Sequence, residues 1–174
     1  MRLFLAVLFA VSALGAARAG EPANAELDQS VRNIAEHFMS DMDEGRFEYA
    51  YGWLTEAYKA QVSFTDFTLA LAKFNALAGP VISRRITKVT WPTGQPKPGT
   101  YAVLDVVSRF GNIERHCGVI TLYRAPDGSA FRVMHAESVY LDNQTAADIA
   151  KKGSPAALEK TWADRSRACP NYTP

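Results

Sequence analysis

The sequence predicts an α+β fold: three N-terminal helices packed on a four-stranded antiparallel sheet, followed by a helical C-terminal tail. Three observations carry that reading. Before Pro80 the apolar residues recur at helical spacing; after it come β-rich runs parted by short turns; and beyond Leu141 helical stretches return around Gly153-Ser154-Pro155.

The first helix is expected over NAELDQSVRNIAEHFMSDMDEGR, where Leu27, Val31, Ile34, Phe38 and Met42 form one stripe and Gly45 stops the run. A shorter second helix follows, with Phe47, Tyr51, Leu54 and Tyr58 on one side and a bend expected near Gly52. Ser63 with Asp66 three residues later opens the third, a relative of the capping box, and Gly79-Pro80 closes it. Four strands are expected in VISRRITKVTW, TYAVLDVVSRF, IERHCGVITLYR and SAFRVMHAESVYL. Their turns, PTGQPKPG, Gly111-Asn112 and Asp127-Gly128, are too short for helical crossovers, so the strands form an antiparallel meander. In the tail, Pro155 after Ser154 suits the start of a last helix that carries Cys169 back toward the sheet.

The N-terminus reads as a secretory leader over residues 1–19: a basic residue, Arg2, an apolar run to about Leu14, and the cleavage pattern Ala17-Arg18-Ala19. Residues 20–142 are then one domain and 143–174 the tail. Losing Arg2 and Arg18 from 19 basic side chains leaves 17 against 18 acidic ones, without the positive footprint of a nucleic-acid binder. No other segment approaches the roughly 20 apolar residues of a membrane span, so the mature form is expected off the membrane, periplasmic or secreted. Export and an even count of two cysteines imply a disulfide between Cys117 and Cys169.

The segments MDEGRFEYAYGWLT, SFTDFTLAL, LAGPVISRRI, YAVLDVVSRF, GVITLYR and FRVMHAE resemble the nuclear transport factor 2-like (cystatin-like) superfamily. More narrowly, they are similar to the exported bacterial family named domain of unknown function 4019. The likeness rests on G-R-F entering a helix, G-x-x-x-S-R entering the first strand and F-R-V in the last; it spans residues 34–140 and leaves the tail outside. It implies a curved sheet and a cone-shaped fold. Members of such a superfamily include cofactor-independent isomerases and dehydratases, and proteins that only bind ligands or partners.

Alternation along the second strand puts Tyr101, Val103, Asp105, Val107 and Arg109 on one face and Ala102, Leu104, Val106, Ser108 and Phe110 on the other. The second set is more apolar and suits the helix-packed side, leaving Asp105 facing away; the reverse register would carry Asp105 into the cone with Tyr101 beside it. On the fourth strand the same alternation groups His135 and Glu137 with Phe131, Val133 and Val139, an arrangement suited to an acid/base pair. His116 and Cys117 are sequence neighbours, so they point to opposite faces and cannot share a metal or activate one another. Of Arg84 and Arg85 one is expected in solvent and one against a helix carboxylate such as Asp66 or Glu56, with anion binding as the alternative.

No phosphate loop, zinc-protease or serine-hydrolase motif is present, and no cofactor or metal is expected. The reading that follows is an exported, non-enzymatic module that holds an apolar small molecule or a periplasmic protein partner, with a homodimer through the open sheet face as one form. The alternative is an isomerase or dehydratase using Asp105 or His135 as base, assisted by Tyr101 or Glu137.

Overall fold

The computed structural model describes residues 25–169, so the leader expected over residues 1–19 lies outside the described residues. The first helix, α1 (Ala25–Asp43), turns Val31, Ala35 and Phe38 inward. Where one further helix is expected before Ser63, there are two short ones, α2 (Phe47–Gly52) and α3 (Glu56–Lys59). The chain between them pairs with the sheet edge: the Thr55 N–H donates to Val133 O and the Val133 N–H to Trp53 O, both at 2.9 Å. Main-chain pairing across a strand edge thus replaces a helical turn that the local periodicity favours. Thr55 then caps α3, its Oγ1 accepting from the Tyr58 N–H at 3.2 Å.

Helix α4 (Phe64–Ala78) starts as its sequence dictates, with Ser63 Oγ accepting from the Asp66 N–H at 3.1 Å. It stops at Gly79, whose φ of +70° disfavours a side chain and where a Cβ would lie 3.0 Å from Asn112 Nδ2. Asn112 holds that end, donating from its main-chain N–H to Ala78 O and from Nδ2 to Leu77 O.

Strands β1 (Val81–Thr90), β2 (Thr100–Phe110), β3 (Ile113–Arg124) and β4 (Arg132–Asp142) form one antiparallel sheet in sequence order. With the helices before it and more helices after, this is the α+β arrangement expected from the sequence, and the one that a resemblance to the nuclear transport factor 2-like superfamily implies. On the inner face, Ala102, Leu104, Val106, Ile120, Leu122 and Val133 bury against Val31, Phe38, Leu54 and Phe67. The preferred register for β2 is the observed one, with Leu104 and Val106 toward the helices.

The outer face is covered at one end by the tail. Asp142 caps α5 (Asn143–Lys152): its carboxylate accepts from the Thr145 N–H and Oγ1, each at 2.8 Å. Those two bonds favour the charged form and lower the Asp142 pKa. Helix α6 (Pro155–Arg165) and a 3₁₀ turn (Ser166–Ala168) follow, and Cys169 closes a disulfide on Cys117 with the Cα atoms 6.2 Å apart. Leu141, Ala146 and Trp162 pack around that bridge in a second, smaller cluster. Among the described residues no helix is long and apolar enough to cross a membrane.

One strand departs from simple alternation. Thr121 pairs with His135 but Leu122 pairs with Val133, which leaves Met134 as an extra residue in β4. The bulge separates two residues that alternation would put together: Val133 is fully buried against the helices, while His135 and Glu137 sit in rows with Thr121 and Val119 on the outer face. The grouping of His135 and Glu137 with Phe131 and Val133 is therefore corrected.

Candidate functional site

Between α1, α4 and the inner face of the sheet lies a cavity of about 430 Å³. Phe38, Met39, Phe67, Leu71, Val106 and Ile120 supply most of its apolar wall. Its volume falls in the range of small-molecule sites. Gly118 lies in the floor; a Cβ there would come 2.8 Å from Glu137 O, so glycine keeps β3 and β4 in register beneath the hollow.

Polar groups enter at a few points. Arg84 of β1 reaches across to α1 and forms an ion pair with Asp43, while its Nε donates to Ser108 Oγ at 2.9 Å. Neither Asp66 nor Glu56 is its partner, because the inward face of β1 meets the end of α1. Asn75 of α4 donates from Nδ2 to Met42 O at 2.8 Å and so ties the two helices at the cavity wall. Tyr58 of α3 lies at 3.5 Å from Ala136 O through its hydroxyl, and burial raises its pKa. His116 of β3 is 7 % exposed and packs between Phe110, with ring centroids 5.1 Å apart, and Phe74, at 6.0 Å.

His116 is the distinctive group of the site. Burial, and secondly the positive charge of Arg84, lower its pKa to about 4, so the ring is neutral at physiological pH. Its Nδ1 has no hydrogen-bond partner among the described residues. A neutral imidazole offers one donor and one acceptor, and a buried polar atom left unmatched costs about 1–3 kcal/mol.

The residues singled out from the sequence fall elsewhere. His135 Nε2 and Glu137 Oε2 are brought to 3.3 Å, but on the edge strand, with side chains 54 % and 52 % exposed. Asp105 is 3 % exposed, on the outer face in a row with Lys88, Val119 and Glu137. Tyr101 is buried beside Tyr123 at a centroid distance of 5.0 Å and donates from its hydroxyl to Lys97 O at 3.0 Å. Of these four only Glu137 also borders the inner cavity. Among the described residues no group of three or more His, Cys, Asp or Glu is placed to hold a metal ion.

From the sequence alone His116 stands out only as the neighbour of Cys117. The signal that finds it is the alternation of β3: His116 shares a face with Gly118, Ile120 and Leu122, and Ile120 and Leu122 are buried against the helices.

The model of a family described as "Protein of unknown function (DUF4019)" matches residues 34–135. No curated protein matches the chain. A crystal structure from Novosphingobium aromaticivorans DSM 12444, of a protein with the provisional name scytalone dehydratase, aligns at 11 % identity with a TM-score of 0.41. That alignment covers 68 % of this chain and 86 % of the other.

Proposed function

We propose, for a chain that belongs to the DUF4019 family, the function that its own cavity supports: an exported, non-catalytic protein that binds a small, largely apolar molecule with one hydrogen-bonding group. The observation that carries the proposal is the 430 Å³ apolar cavity itself, with the neutral ring of His116 among the few polar side chains in its wall. The wall excludes charged ligands by desolvation, since Arg84 is already neutralised by Asp43. His116 then selects for a hydroxyl, carbonyl or amide at one place on the molecule. Export is supported by the disulfide, which persists in oxidising compartments.

The enzymatic alternative draws on the 3.3 Å contact of His135 with Glu137. Both side chains are half in water, so nothing there excludes solvent from a reacting group or holds a substrate against the pair.

The probe for the binding reading is 1-naphthol, an apolar bicycle with one hydroxyl, followed by its own fluorescence. Saturable one-to-one binding is expected. Leu71→Trp, whose larger ring intrudes on the cavity from its half-buried place in the wall, abolishes it; His116→Phe, which keeps the shape, weakens it about tenfold; His135→Leu leaves it unchanged. Binding that survives Leu71→Trp, or that is lost in His135→Leu alone, overturns the proposal.

A further inference from the structure

We propose a second binding site, on the opposite face of the sheet, for a small oxyanion: a groove in which Arg85 and Arg109 together hold a phosphate or carboxylate group. The groove, about 530 Å³, lies where β1, β2 and β3 meet α6; Arg85, Val107, Arg109, Arg115 and Glu159 line it on the outer face, and Arg84, Ser108 and His116 of the inner side also border it.

The strand register brings the cations together. Arg85 pairs with Val107 and Ser83 pairs with Arg109, so the two arginines are diagonal neighbours on adjacent strands of one face. Diagonal neighbours lie about 7–8 Å apart, their Cβ atoms somewhat less, a span over which two long guanidinium side chains converge on a single anion. Continuing the β2–β3 register beyond Ser108 and His116 sets Arg109 opposite Arg115. Like charges directly opposite across a sheet are destabilising.

Arg115 is satisfied internally, its two terminal nitrogens donating to the two oxygens of Glu159 at 2.9 and 2.6 Å. Arg85 and Arg109 have no carboxylate partner among the described residues, although Glu114 also borders the groove. Two exposed, uncompensated guanidiniums beside a third, in a concave groove walled by a helix, match the planar two-pronged geometry by which arginine recognises oxyanions. The chain as a whole is close to neutral, so this positive field is local and does not reflect overall charge.

The test is calorimetric titration of the intact protein at constant ionic strength with inorganic phosphate in one arm and acetate in the other, sodium chloride being the control. Saturable binding of one equivalent is expected in at least one arm, and the tighter arm assigns phosphate esters or carboxylates as the ligand class. Arg85→Gln and Arg109→Gln each weaken it tenfold or more, with the melting temperature within a few degrees of the parent, since both side chains are exposed. Absence of saturation in both arms, or binding equal to the parent's in both variants, overturns the proposal.

Discussion

Two neighbouring residues, His116 and Cys117, show how differently the two faces of this sheet are finished. His116 points into the hollow between sheet and helices; Cys117 points outward and is tied to Cys169. The inner face is closed by a broad apolar contact with four helices, whereas the outer face is closed at one end by a covalent bridge and a handful of side chains. The inner face can therefore tolerate a cavity and an unmatched polar atom. Large apolar burial offsets that local cost, whereas the small outer cluster needs a staple to hold at all.

The comparison is broken most severely from the inner side. Phe38→Ala, at a fully buried position in the main cluster, is expected to cost about 3–5 kcal/mol by chemical denaturation. Breaking the bridge should cost slightly less. Cys117→Ser with Cys169→Ser opens a loop of 52 residues, worth about 4 kcal/mol at most in the chain-entropy model. If the two faces are as unequal as described, the double variant loses hydrogen-exchange protection in α5 and α6 first, and the inner strands keep theirs.

A third test uses pH. The His116 pKa in the folded protein, about 4, lies below its ordinary value of 6.5. Between those values the unfolded chain takes up a proton that the folded chain refuses, so stability falls as pH drops from about 6.5 and levels off below about 4. The loss is about 3 kcal/mol when complete. The measurement is the difference in urea midpoint between the parent and His116→Phe across that window, which cancels the titration of the carboxylates common to both. An unchanged difference would mean that His116 is not held neutral. The smallest effect is at the tail: Asp142→Ala removes the cap of α5 and should cost about 1 kcal/mol, seen as a drop of a few degrees in melting temperature.

Much of this architecture is legible locally. The stripe of α1, the Ser63 cap and the turns between strands all depend on residues close in sequence, and they place the inner face of β2 correctly. What escapes local reading depends on distant partners. The split of the second helix comes from main-chain pairing of Trp53 and Thr55 with Val133, nearly eighty residues on, and the outward turn of His135 comes from one extra residue at Met134. Arg84 finds Asp43 across the hollow, a pairing that no spacing rule specifies. The cavity is likewise a property of three elements together, which is why His116 was visible in the sequence but its role was not.

The most direct test of the account is a long-range nitrogen–proton NMR spectrum of the imidazole rings, recorded at neutral pH with and without 1-naphthol. There are three histidines in the chain, so His116 can be assigned by substitution. The expected result is a neutral His116 ring whose nitrogen signals shift on titration with the probe while the His135 signals stay in place. Movement confined to His135, with His116 unaffected, would put binding on the outer face and contradict the inner cavity as the site.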